Sequence, residues 1–282
     1  MNAPVRSEIH VGATLETSKV SPLHSMLLAL EREDAATDFN AIFNDPSILP
    51  YLNPNGPLDF GSLIANRYNH FFLGDHGGIA FIHTSGGIFE GYIGVLPSSR
   101  GPWCKLFAHA SLHRLFSTSN AVEVFVRCPK IWPATGALAR SLGMSYELTR
   151  SNGMVTRRGM VPADIYRLNL TDWIRVAPGL AERGRWFLEK MRREYARHGI
   201  ESEPPDIDDQ HARHLGAFVE LIFGGRVSAA IALFNKRFAI FSGYPEVELI
   251  DDKVRVVLRV RNAILIFRDQ EFYIHSLTVS EG

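Results

Sequence analysis

Over residues 121–127 the hydrophobic pattern has a period of two. Val122, Val124 and Val126 alternate with Glu123 and Arg127, and Phe125 falls on the polar side. That alternation predicts a half-buried strand from Ala121 to Arg127. Before and after it the period lengthens. Pro102 suits the first position of a helix carrying Trp103, Leu106, Phe107, Ala110 and Leu115. A second helix is expected from about Pro133 to Leu142, stopped by Gly143. Upstream, Phe71 to Leu73, Ile79 to His83 and Ile88 to Val95 read as three strands. The turn clusters Gly74-Asp75-His76-Gly77-Gly78 and Ser85-Gly86-Gly87 join them as hairpins. Downstream, Met144 to Thr149 and Ala163 to Leu170 predict a closing hairpin.

The flanks are more helical. Ser21-Pro22 opens a short helix through Met26, Leu27 and Leu30, and 37–52 continues as broken helix, interrupted at Asp45-Pro46. NPNGP at 53–57 is a turn cluster, followed by an expected helix from Leu58 to Tyr68. The character changes at Asp172. A long helix is predicted over 176–198, with Leu180, Phe187, Met191 and Tyr195 as its apolar stripe. After a break at 203–206, a helix from Asp208 to Phe223 ends at Gly224-Gly225. Val227, Ile231, Phe234 and Phe238 mark another. Strands at 246–250, 254–260, 263–267 and 271–275 complete a β-meander. The expected division is a flexible lead over 1–20, a mixed α/β unit over 21–170, and a helical and β-meander unit over 171–282.

Composition narrows the class. Of 282 residues, 46% are hydrophobic and 21% charged, as in globular chains with a sizeable core. Thirty basic and thirty acidic side chains cancel, so no overall field favours nucleic acid or an anionic membrane. The longest apolar runs, such as 263–267, are far below the roughly 20 residues of a spanning helix. Cys104 and Cys128 are the two cysteines, which reads as buried thiols in a reducing compartment. The first 20 residues carry no stretch fit for a signal peptide, so synthesis in a cytoplasm is expected.

The order strand, loop, helix, strand, helix, strand over 88–147 resembles the coenzyme-binding half of GNAT-type acyltransferases, with the likeness covering roughly 40–170. The resemblance implies a mixed sheet, and a loop of the form Q/R-x-x-G-x-G/A that receives a pyrophosphate at a helix start. Here the aligned residues are Ser98, Ser99, Arg100, Gly101, Pro102 and Trp103. Ser98 stands for Gln or Arg, Trp103 for a small residue, and Pro102 removes one N–H. The family's N-x-x-A-x-x-x-Y-x-x-x-G-F pattern, counted back from Gly143-Met144, puts Trp132, Thr135 and Ala139 at its Asn, Ala and Tyr. Ala139 therefore deletes the usual general acid. Glu90 matches an occasional general base, or is a carboxylate on a solvated strand face. An active enzyme would use Glu90 as base, Tyr146 as substitute acid, and Arg100-Gly101 as phosphate site, with acetyl-CoA as donor.

The whole chain also resembles the GNAT-like virion proteins of tailed bacteriophages. The residues are DWIRVAPGLAERGRWFLEKM, the run from Asp208 to Gly225, and the aromatic segment Phe241 to Pro245. This implies a structural subunit of the head–tail channel, tail or ejection machinery, located in the virion. It would use a degenerate acyltransferase fold with no cofactor, contacting other virion proteins and copies of itself. Arg183, Arg185, Lys190, Arg192, Arg193 and Arg197 give the long helix a basic side. Such a side is a solvated face or a sequence-blind contact with packaged DNA. Trp103, Trp132, Trp173, Trp186, Phe241 and Tyr244 suit core packing or an assembly interface.

Eleven histidines raise a metal site. His109 and His113, and His211 and His214, sit at helical spacings, and His70, His76 and His83 cluster near the hairpins. No HExxH or CxxC accompanies them, so no metal is expected. No serine lies in a G-x-S-x-G elbow, and GGRVS at 224–228 lacks the lysine of a P-loop. The fold class expected is α+β: a GNAT-like mixed β-sheet flanked by helices, then a helical segment and an antiparallel meander. The leading functional expectation is the non-catalytic virion subunit; the alternative is an acetyl-CoA-dependent N-acetyltransferase. A third is an acyl-CoA sensor that binds without reacting.

Overall fold

Turn chemistry organises the first half. In a computed structural model the described residues are 23, 26, 31–32, 36–52, 56–156, 158–199, 207–238, 246–250, 253–260, 263–268 and 271–277. The elements begin β1 (Glu31–Arg32), α1 (Ala36–Phe43), α2 (Leu49–Leu52), α3 (Gly61–Ile64), β2 (His70–Gly74), β3 (Gly77–Ser85) and β4 (Ile88–Val95). A 3-10 turn (Pro97–Ser99) leads to α4 (Pro102–Thr118), β5 (Glu123–Pro129), α5 (Pro133–Ser141), β6 (Ser145–Thr156) and β7 (Gly159–Asn169). Helices α6 (Leu170–Val176), α7 (Leu180–Arg197), α8 (Asp209–Phe223) and α9 (Val227–Phe238) follow. The last strands are β8 (Glu246–Ile250), β9 (Lys253–Val260), β10 (Ala263–Arg268) and β11 (Glu271–Leu277).

Seven strands form one mixed sheet in the order β1-β2-β3-β4-β5-β7-β6, and four form an antiparallel sheet in the order β11-β10-β9-β8. In the first sheet β4 and β5 run parallel, and every other neighbouring pair is antiparallel. The α+β architecture is the one the pattern predicts. Among the described residues no helix is long and apolar enough to cross a membrane.

Three apolar clusters hold the layers. On one face of the large sheet, Phe81 and Phe89 pack with Phe107, Leu115 and Phe116 of α4 and with Trp173 of α6. On the other, Phe39 and Phe43 of α1 stack 4.4 Å apart and meet Phe71 and Ala80, with Phe60 edge-on. The second half is built on Phe187, Phe218, Phe267 and Phe272, which join α7 and α8 to the small sheet. Leu180 of α7 and Ala217 of α8 belong to the α4 cluster, so it extends past residue 170.

Helices α7 and α8 cross at glycines. A Cβ at Gly184 would lie 1.9 Å from the Ala212 carbonyl oxygen, and one at Gly216 1.9 Å from that of Leu180. Only glycine allows so close an approach. Helix α8 is tied back to α4 by polar side chains. His113 Nε2 lies 3.0 Å from Glu220 Oε2, and Arg183 Nε lies 2.8 Å from Glu220 Oε1 in an ion pair. Burial pushes the Glu220 carboxyl up, but His113 and Arg183 outweigh it and hold it below its ordinary value. Arg226 donates from Nη1 to the carbonyls of Phe116 and Ala121, capping the end of α4.

Several expectations need correction. The helix expected from Leu58 to Tyr68 is the single turn α3. Asn44 and Asn40 side chains accept from the Leu58 and Phe60 N–H groups at 2.6 and 2.9 Å, which holds that backbone outside a helix. The helix expected over 176–198 starts later, as α7 at Leu180, and Val176 instead closes α6. Pro178 keeps Ala177 extended at ψ 127°, and Gly179 turns left-handed at φ 82°. The strands of the closing hairpin run longer than expected, leaving a tight turn before Gly159. The small sheet follows the expected strands within two residues. Leu23 and Met26 are helical, while the rest of the helix expected after Ser21-Pro22, the 1–20 lead, the break at 203–206, Phe241 and Tyr244 lie outside the described residues.

Candidate functional site

The site lies where β4 and β5 part. Their pairing covers only Ile88, Phe89 and Glu90 against Glu123, Val124 and Phe125, while β4 runs on to Val95 and β5 to Pro129. Parallel strands that stop pairing leave a slot through the sheet, and Gly91 keeps it open. A Cβ there would lie 3.2 Å from Val126 Cγ1 and 3.5 Å from Phe81.

The slot opens into a cavity of about 340 Å³. Ile79, Phe81, Ala108 and Leu112 line the α4 side, and Leu138, Ala139, Leu142 and Met144 close it from α5 and the start of β6. On the opposite face of the sheet Tyr51, Leu52, Tyr92 and Trp132 form the mouth. Trp132 meets Tyr51 edge-on at 4.9 Å.

Glu90 is not on a solvated face. It is 6% exposed, and Arg127 Nε and Nη2 donate to its two carboxylate oxygens at 2.5 and 2.6 Å. A carboxylate taken out of water needs such a partner. On the same wall Tyr92 has its phenol pKa raised, first by burial and then by the Glu90 charge. Cys128 also lines the cavity, and burial pushes its thiol up to about 11. Both thus keep their protons at neutral pH.

The loop after β4 is differently occupied. Gly101 caps α4 at φ 145°, with Pro102 at the first helical position. The N–H groups of Trp103 and Cys104 therefore remain at the helix start. Arg100 is committed elsewhere: Nε donates to the Val95 carbonyl at 3.1 Å and Nη2 to that of Ser47 at 3.0 Å, with its guanidinium over Tyr51. Trp103 stacks on Phe107 at 4.8 Å and meets His76 edge-on. Ser98 lies within the 3-10 turn.

Of the residues singled out by sequence, Glu90, Trp132, Thr135 and Ala139 share the cavity wall. Tyr146 does not line it. It is 56% exposed on β6, and its hydroxyl lies 3.0 Å from Thr149 Oγ1. Cys128 is the buried thiol expected, while Arg127 and Tyr92 were not expected at the site; Arg127 carried a signal only as a cation at the end of an apolar strand.

The remaining constellations are structural. Among the described residues no group of three or more His, Cys, Asp and Glu side chains is placed to hold a metal. His113 is 7% exposed against Glu220, and His211 turns to its helix cap Asp208 at 2.8 Å. The basic side of α7 is laced with acids: Arg192 and Arg193 meet Glu189, Arg197 meets Glu194, Arg185 meets Asp209, and Lys190 meets Glu271. Trp173, weighed as an interface residue, is a core residue stacked on Phe116.

No protein-family model matches the sequence, and no curated protein does. Solved structures are similar in fold. A mutant spermidine N-acetyltransferase SpeG from Vibrio cholerae is 13% identical, with a TM-score of 0.44 over 51% of this chain and 96% of that one. A probable acetyltransferase of the GNAT family from Chromobacterium violaceum is 21% identical, with a TM-score of 0.43 over 51% of this chain and 88% of that one.

Proposed function

We propose that the chain binds an acyl thioester in the β4–β5 slot and passes its acyl group to an amine, with acetyl-CoA as the simplest donor. The observation that carries this reading is the open slot beside Glu90, since a sheet kept only as scaffold gains by filling such a gap. Bound there, the thioester supplies an activated acyl carbon. Beyond the last β4–β5 pair at Glu90, the β4 backbone of Gly91 to Val95 is left to face the arm that carries it.

The amine arrives as a cation, competes with Arg127 for Glu90 and gives it one proton; the freed lone pair forms the C–N bond as the C–S bond breaks, and the nitrogen's second proton replaces the one Tyr92 gives up. Tyr92, protonated and on the same wall, returns a proton to the departing sulfur, a role the exposed Tyr146 is too far out to fill. The pyrophosphate end is the weaker fit. The Trp103 and Cys104 N–H groups are available for it, but Arg100 is already engaged. The test is calorimetric titration of the whole chain with acetyl-CoA and longer thioesters, followed by mass spectrometry of an amine incubated with both. Saturable binding and an acylated amine support the reading, and no binding of any thioester overturns it.

A second reading is a non-catalytic subunit of a tailed-phage particle, touching its neighbours and itself, with the basic side of α7 near packaged DNA. What favours it is that Glu90 and Arg100 are already held by protein groups, and that Ala139 offers no acid. Finding the chain in purified particles, with no thioester bound, supports this reading over the first.

A further inference from the structure

The cavity is larger and drier than an acetyl group requires. A water's share of liquid volume is about 30 Å³, so 340 Å³ has room for roughly ten groups of that size. An acetyl brings two carbons. The inner end runs under α4 and α5 into the main apolar cluster, where Ile79, Phe81, Leu112, Leu142 and Met144 offer no hydrogen bond. A cavity so lined stays dry and takes apolar guests. Its depth comes from two small residues, Ala108 and Ala139, which are buried and line the wall where larger side chains would fill it. The polar groups that could hold a short acyl or its carrier, Glu90, Arg127 and Tyr92, stand together on one wall rather than at the inner end.

We infer that the recess behind the slot is an acyl-chain pocket, and that the preferred donor carries a saturated chain longer than acetyl and no longer than about ten carbons, an upper bound set by the roughly ten groups the whole cavity, mouth included, holds. This rests on the thioester reading above and names its substrate class. The α4-to-α5 recess holds the chain by apolar contact, and each methylene that enters it tightens binding about fourfold.

The experiment is calorimetry of the whole chain with acetyl-CoA, decanoyl-CoA and decanoic acid, repeated on Ala139→Leu. The expected result is decanoyl-CoA binding at least about a hundredfold tighter than acetyl-CoA, with that ratio collapsing toward one in Ala139→Leu. Ala108→Val, a smaller intrusion into the same recess, replaces Ala139→Leu if the latter does not fold. Equal affinity for the two thioesters overturns the acyl pocket and leaves the thioester reading standing. Decanoic acid binding that Ala139→Leu abolishes, with neither thioester bound, supports the pocket and sinks the thioester reading. Decanoyl binding unchanged by filling the recess overturns the inference.

Discussion

Glu90 and Arg127 meet across the point where β4 and β5 separate, in a two-pronged pair with donor–acceptor distances of 2.5 and 2.6 Å. The carboxylate is buried while the guanidinium reaches solvent, with side-chain exposures of 8% and 37%. Breaking such a pair from one side leaves a charge without a partner, whereas removing both sides leaves none.

Arg127→Met is therefore expected to destabilise the fold by about 2–4 kcal/mol, toward the lower end because Arg127 is partly solvated. The double variant Glu90→Gln with Arg127→Met should recover most of that loss. Urea unfolding of the four proteins of the cycle measures it, and strict additivity would contradict the pairing.

Gly91→Val should close the slot. Its Cβ would press on Val126 and Phe81, so a stability cost of about 1–3 kcal/mol is expected from overpacking. Thioester affinity should fall at least tenfold, on the order of 1.4 kcal/mol, in titrations run below the variant's melting temperature. Unchanged binding would move the ligand site away from the β4–β5 gap.

The His109 imidazole is pushed down to about 4, first by burial and then by Lys105 beside it. Its folded pKa lies below the unfolded value near 6.5, so over that window the unfolded chain binds a proton the folded one does not. Stability is then fully present above pH 6.5 and falls as pH drops toward 4, by up to about 1.4 kcal/mol per unit, less whatever solvent screening removes. Denaturation at a series of pH values should reveal this slope, and His109→Gln should flatten it.

Gly184→Ala tests the helix crossing. The added methyl cannot coexist with the Ala212 carbonyl 1.9 Å away, so α7 and α8 must move apart. A loss of about 3 kcal/mol or more is expected from forced overpacking. Substituting the nearby Gly199, whose Cβ meets nothing but whose φ is +74°, should cost only the strain of a left-handed backbone, about 1 kcal/mol. Thermal melts of the two variants separate crowding from strain.

The strands were legible because their limits are local. Gly86-Gly87 and the small sheet's turns announce themselves in two or three residues, and there the predicted boundaries hold to within two residues, whereas β6 and β7 run on well past theirs into the hairpin. The α6–α7 break is also written locally, in Pro178-Gly179, yet the expected helix starts at 176, ahead of an apolar stripe that begins only at Leu180. The short α3 was hidden for the opposite reason, since its limits are set by Asn40 and Asn44 from another helix. The site was half legible. Glu90 could be picked out by alignment with a motif, but its burial depends on Arg127, 37 positions away. Nor could any spacing reveal that Ala139 matters for the space it leaves as much as for the acid it lacks.

Arg226 has a consequence for how the chain can be cut. By bonding the carbonyls of Phe116 and Ala121 it caps a helix more than a hundred residues earlier, while Glu220 meets His113 of that same helix. The change of character at Asp172 divides the sequence, but the groups that finish α4 come from beyond it. A fragment ending at residue 170 would lack the indole of Trp173 in its core and the cap on the helix that roofs the cavity. The second half is thus a brace for the first, and displacing it would bear mechanically on the roof of the cavity.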